Sequence, residues 1–270
     1  MKNALLWRLT PPGGGPDAFL FGTMHVRDLR AFGWFDAAKA CLAQCDIFAT
    51  EFDFGDTDPA TLAGVLTLPE GQILESLLRP GVWKSLARYN RKKLHIPLEH
   101  LSLQHPMAVT VALTNALLED ETPLSLDESL WEYARSLGKR TTGVESFEDQ
   151  IVILTQIPLE QQLKNLTWMV KNYNRQKRRL RKMLQWYENG DIQHLYHAAK
   201  RDAKGLRKLL LYTRNTNMAA RFAELTAQGS LFCAVGAGHL AGQKGMLRLL
   251  KKAGFVIKPV SKTLPPGSSR

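Results

Sequence analysis

Cysteine is scarce in this chain and odd in number, so Cys41, Cys45 and Cys233 cannot form a disulfide framework. Cys41 and Cys45 fall four apart in a helical pattern and read as small apolar side chains on a buried face, and Cys233 reads as core. Long apolar runs are absent too. No window approaches the roughly 18 to 20 uninterrupted apolar residues that a membrane-spanning helix needs. The opening Met1-Lys2-Asn3-Ala4-Leu5-Leu6-Trp7-Arg8 shows no apolar core followed by a small-residue cleavage site, and it reads as lacking a signal peptide. The sequence has no Walker loop, no Gly-x-Ser-x-Gly elbow, no Cys-x-x-Cys and no Gly-x-Gly-x-x-Gly. Gly13-Gly14-Gly15 lacks the lysine and helix of a phosphate cradle and reads as a loop.

Acidic residues are missing from one stretch in particular. Lys171, Arg175, Lys177, Arg178, Arg179, Arg181 and Lys182 follow one another with no Asp or Glu among them. They account for much of a net charge of +11 and suggest contact with an anionic surface. No nucleic-acid reading module accompanies them, so specific nucleic-acid binding is not expected. Apolar content of 44% and charged content of 23% belong to an ordinary globular chain.

What is present is a motif used twice. An apolar run leads into Gly22-Thr23-Met24-His25, and a second leads into Gly236-Ala237-Gly238-His239. In a chain of this composition chance supplies about half a Gly-x-x-His match, so two copies after two apolar runs point to a shared site. Each reads as a buried strand ending in a glycine turn that presents an imidazole. The turn glycines Gly22 and Gly236 are expected to adopt backbone angles other residues resist, and Gly238 to remove a side chain beside the site.

Strands are predicted over Phe19–Phe21, Ile47–Phe52, Arg140–Glu145, Leu231–Val235 and Phe255–Val260. Helices are predicted from Trp34 to Gln44, from Met107 to Leu118, from a cap at Asp127 to Leu137 and from Leu240 to Ala253. A run from Pro158 to Asn189 is expected to break near Asn172 to Asn174. The fold class is therefore α/β, a sheet formed by N- and C-terminal strand-helix halves around a large, mainly helical insertion. It reads as one domain over 1–262, with the insertion at about 59–137, further helices at about 147–228 and a disordered tail at 263–270. His25, Glu51, Glu145 and His239 each fall at the carboxyl end of a predicted strand, the edge where open α/β sheets bind ligands.

Two imidazoles and a carboxylate suit zinc, manganese or cobalt, and an open position on such an ion activates water. One of Glu51 and Glu145 would ligate while the other accepts the water's proton. Arg214-Asn215 lies in a helical segment, and Arg214 facing the cleft would hold a carboxylate or a developing anion. The pair His194 and His197 lacks an acidic zincin pattern and reads as surface.

At these residues the chain resembles the TraB/GumN family, which includes the animal Tiki proteins and the plasmid pheromone-shutdown proteins. The matching pieces are Leu6-Trp7, Phe19 to Val26, Glu51 in Ala49 to Asp53, Asp127, Leu137-Gly138-Lys139, Gly143 to Ser146 with Gln150, Arg214-Asn215, and Val235 to Gly242 with Gly245 and Leu249-Leu250. The resemblance implies a fold like that of erythromycin esterases and the haem-binding ChaN proteins. It also implies a manganese- or cobalt-dependent protease acting on a peptide or protein, with His25, His239 and Glu51 at the metal. Glu145 and Arg214 are further catalytic candidates, with Arg214 and Asn215 on the substrate side. The alternative is a non-catalytic protein that binds a peptide or haem-like ligand in the same cleft.

Overall fold

The structure, a computed structural model, describes residues 3–118 and 121–263. The expected disordered tail lies outside the described residues except for Thr263. The chain forms two compact units, one from Met1–Asp56, Glu121–Phe147 and Lys182–Arg270, the other from Thr57–Asp120 and Glu148–Arg181.

The first unit is built on a six-stranded sheet: β1 (Leu6–Thr10), β2 (Ala18–Thr23), β3 (Ile47–Thr50), β4 (Arg140–Gly143), β5 (Leu231–Gly236) and β6 (Val256–Pro259). The order across it is β4-β3-β5-β2-β1-β6. The first four in that order run parallel, while β1 is antiparallel to both β2 and β6. The α/β class expected from the sequence is what the chain adopts. Every residue of β2 and β3 is buried, as strands covered on both faces must be. Phe232 of β5 sits at the centre of an aromatic group, 6.0 Å from Phe48, 6.2 Å from Phe21 and 6.4 Å from Phe19 between ring centroids.

Register decides where the chemistry goes. Thr23 pairs with Gly236, and Thr50 pairs with Gly143. The carboxyl ends of β2, β5, β3 and β4 therefore form one row, and the residues just beyond them share one edge of the sheet.

Three elements differ from the sequence reading. β1 was not anticipated, because Arg8 interrupts its apolar run; the guanidinium turns out of the sheet to pair with Asp17. The helix expected from Leu240 spans only Met246–Lys252, since Gly242 takes a left-handed φ of 91° and a turn intervenes. The helix Leu126–Ser136 is capped by Ser125, in a reciprocal pair with Glu128, and not by Asp127.

The second unit is helical. Pro59, Pro80 and Pro106 each open a helix (Pro59–Leu66, Pro80–Tyr89, Pro106–Asn115), as the ring's fixed φ and missing N–H favour at a first turn. The long run does break at Asn172, between helices Leu159–Lys171 and Tyr173–Glu188. Tyr173 stacks on Tyr89 at 4.5 Å and donates to the Ala116 carbonyl at 2.9 Å. Of the seven cations, Lys171 ends the first of these helices and the other six lie between Arg175 and Lys182 of the second. Among the described residues no helix is long and apolar enough to cross a membrane.

Candidate active site

Each Gly-x-x-His turn is fixed by close packing at its glycine. Gly22 donates to the Leu5 carbonyl at 2.9 Å, and its own carbonyl accepts from the fully buried Tyr187 hydroxyl at 2.8 Å. A Cβ at Gly22 would fall 2.6 Å from Leu240 Cδ1 and 3.1 Å from Ala237 Cα, so the turn after β5 rests on this position. At Gly236 a Cβ would lie 3.1 Å from Glu51 Oε1, and at Gly238 it would lie 2.7 Å from Ala199 Cβ. None of the three has a positive φ. The expectation of unusual backbone angles at Gly22 and Gly236 is therefore corrected: what glycine provides there is space, since a larger residue would push its neighbours aside.

Glu51, immediately after β3, is 13% exposed at its side chain, and Glu145, just beyond β4, is 4% exposed. Arg214, at the start of helix Arg214–Thr226, clamps both. Its Nε donates to Glu145 Oε1 and Oε2 at 2.9 and 3.0 Å, and its Nη2 reaches Glu51 Oε2 and Glu145 Oε2, each at 2.5 Å. Glu51 Oε1 accepts from the Gly236 amide at 2.8 Å. Burial alone would raise the Glu51 pKa, but the charges of His239, Arg214 and His25 and the Gly236 amide outweigh it. The carboxyl is held well below the usual range and is ionised at any working pH. Arg214 is fixed in its charged form, because the paired glutamates overcome the cost of its burial.

The two imidazoles each have an oxygen beside Nδ1 but differ in burial and in charge. His239 is buried, and its Nδ1 lies 2.6 Å from Asn215 Oδ1. Asn215 is 0% exposed and donates its amide to the Lys244 carbonyl at 2.7 Å, which fixes the oxygen toward the ring. His239 therefore carries its proton on Nδ1, and Nε2 presents a lone pair 3.8 Å from Glu51 Oε1. Burial lowers its pKa to about 4 against the pull of Glu51, with Arg214 and His25 lowering it further. His25 faces Asp127 instead, with Nδ1 3.0 Å from Oδ2. That neighbouring charge raises His25 to about 9, in spite of desolvation. The His25 side chain is 57% exposed, so solvent screens the pair.

These opposite shifts give a two-sided pH dependence in the metal-free protein. His25 stabilises the fold fully below its unfolded pKa of 6.5, and this contribution is lost as pH rises through about 9. His239 contributes stability above 6.5 that is lost as pH falls through about 4. Urea midpoints measured across pH should fall on both sides. Asp127→Asn should flatten the alkaline limb and leave the acid limb in place; an unchanged alkaline limb would contradict the pairing.

The structure thus forms two hydrogen-bonded groups, Glu51–Arg214–Glu145 and Asn215–His239, which meet where His239 Nε2 lies 3.8 Å from Glu51 Oε1, while His25 pairs with Asp127. Two placements depart from expectation. Asn215 is sealed from solvent with both ends of its amide engaged, so it positions His239 and has no face for a substrate. Both Glu145 oxygens accept from Arg214, so the carboxylate anchors the guanidinium, a contact the sequence did not indicate. Sequence reasoning took Asp127 for a helix cap, not a partner of His25, and missed Tyr187. Asp127 shares a helical face with Leu130 and Ala134, and an acid on that apolar stripe was the available signal.

Imidazole nitrogen and carboxylate oxygen suit a divalent metal, and ligand atoms about 2.1 Å from one ion stand roughly 3 to 4 Å apart. The His239–Glu51 pair fits that spacing and donor chemistry. Among the described residues no three His, Cys, Asp or Glu side chains form a ready metal-binding group. A third ligand would come from Nε2 of His25, which would give up its proton to the ion.

The sequence profile described as the TraB/PrgY/gumN family matches residues 5–259. The chain is 24% identical to the metalloprotease TIKI2 of Danio rerio, over 95% of its own length and 61% of the relative's. It is likewise 24% identical to the metalloprotease TIKI1 of Homo sapiens, over 99% of this chain and 64% of that one. The metalloprotease TIKI1 of Xenopus tropicalis is similar at 24%, over 94% and 61%. The chain thus spans a little over three fifths of the length of the curated relatives it matches. No solved structure matches it.

Proposed function

Because this chain belongs to the TraB/PrgY/gumN family, we propose that it is a metal-dependent hydrolase acting on peptide bonds, with His25, His239 and Glu51 around one divalent ion. The observation that carries this reading is the like treatment of the two imidazoles. Nδ1 of His239 hydrogen-bonds Asn215 Oδ1 at 2.6 Å and Nδ1 of His25 stands at ion-pair distance, 3.0 Å, from Asp127 Oδ2, so Nε2 is the nitrogen of each ring that would ligate. Histidines at metal centres are backed in this way because the outer acceptor fixes the ring and raises its basicity. The names of the similar metalloproteases support the same class of chemistry.

Manganese or cobalt is the proposed ion, with zinc compatible with the same donors. When bound, it would polarise a scissile carbonyl and lower the pKa of water. The remaining roles belong to the chain's own side chains. Glu51, ionised and fixed by Arg214 and the Gly236 amide, supplies the negative charge beside His239. Glu145 holds Nε and Nη2 of Arg214, whose fixed positive charge would stabilise charge that develops on a substrate carbonyl nearby. His239 stays neutral at physiological pH and keeps its lone pair.

Chelator-stripped protein should cleave no member of a quenched fluorescent peptide library, and manganese or cobalt should restore cleavage. Turnover that persists without metal, or that survives His239→Ala, contradicts the proposal.

A further inference from the structure

A cavity lies in the unit that carries the sheet, and none of the candidate active-site residues lines it. It measures about 750 Å³, within the range of small-molecule sites. Lys200, Lys244, Arg248 and Lys251 surround it, and no acidic side chain lines it. None of the four cations forms an ion pair with a carboxylate among the described residues. Lys244 instead places Nζ 4.7 Å from the centre of the Tyr212 ring. The rest of the lining mixes the polar Gln193, His197 and Gln243 with apolar and aromatic side chains, among them Trp7 and Leu247, 4% and 2% exposed.

Four like charges around one concavity repel one another and concentrate a positive field inside it. A dianion would relieve that repulsion. The buried indole, the tyrosine ring and the leucine beside it would receive an apolar body that free phosphate does not have. The wall is also constrained: Gly242 runs with φ 91° against Tyr196, where a Cβ would fall 2.3 Å from the ring. We propose that this cavity binds a small organic phosphate, an anionic head on an aromatic or apolar body. The loop that forms its wall reaches the candidate active site, since the Lys244 carbonyl is the acceptor that orients Asn215.

The test is calorimetric titration of the metal-free protein at low salt with phenyl phosphate, inorganic phosphate and benzyl alcohol. The expected result is saturable binding of one equivalent of phenyl phosphate, with inorganic phosphate at least about tenfold weaker and benzyl alcohol silent. The paired substitution Arg248→Ala and Lys251→Ala, at exposed positions, should weaken phenyl phosphate by at least about tenfold. Arg88→Ala with Arg91→Ala, beside a different cavity in the helical unit, should leave it unchanged. No saturable binding, equal binding by inorganic phosphate, or affinity indifferent to Arg248 and Lys251 would each overturn the proposal.

Discussion

Arg214→Ala should lower the unfolding free energy by about 3 to 5 kcal/mol, because it leaves two buried carboxylates without their counter-charge. Glu145 and Glu51 are 4% and 13% exposed, so little water is available to replace the guanidinium. Glu145 would lose three bonds from Arg214, and Glu51 would lose its bond from Nη2 while keeping the Gly236 amide at 2.8 Å. Adding Glu145→Gln to Arg214→Ala should recover a substantial part of the loss, since a neutral amide carries a smaller desolvation penalty. Urea denaturation of wild type and both variants reads this directly. An Arg214→Ala effect below about 1 kcal/mol would mean that the cluster is solvated and the clamp unimportant.

Asn215→Leu should weaken divalent-metal binding by about 10- to 100-fold while leaving both proposed nitrogen ligands in the chain. The substitution removes the acceptor of the His239 Nδ1 proton and keeps a side chain of similar size in a fully buried place. The imidazole is then free to rotate and to place its proton on Nε2, the nitrogen that faces Glu51. Nitrogen chemical shifts of His239 should show one tautomer in the wild type, protonated at Nδ1, and a mixture in the variant. If affinity falls with the tautomer unchanged, Asn215 acts through packing alone.

Much of the frame could be read from residue order. Apolar runs ending in Gly22 and Gly236, and a third ending before Glu51, announced parallel strands whose carboxyl ends meet. What was hidden was the local partner of each side chain. Asp127 resembled a cap because it opens a helix, yet Ser125 and Glu128 cap each other and free Asp127 to face His25. Arg214 was legible as a cation of the cleft, but its bonds to glutamates 69 and 163 residues away depend on register. The glycines carried the right signal with the wrong cause: close approach, visible only once Leu240, Glu51 and Ala199 are placed. β1 escaped because Arg8, mid-strand, breaks the apolar pattern and finds Asp17 across a hairpin.

The central claim is that two turns more than two hundred residues apart serve one ion. Calorimetric titration of chelator-stripped wild type, His25→Ala and His239→Ala with manganese, cobalt and zinc tests it most directly. The account predicts one equivalent bound by wild type and binding lost in each variant, with each variant still folded by circular dichroism. A wild type that binds no metal, or variants that bind as well as it does, would contradict it.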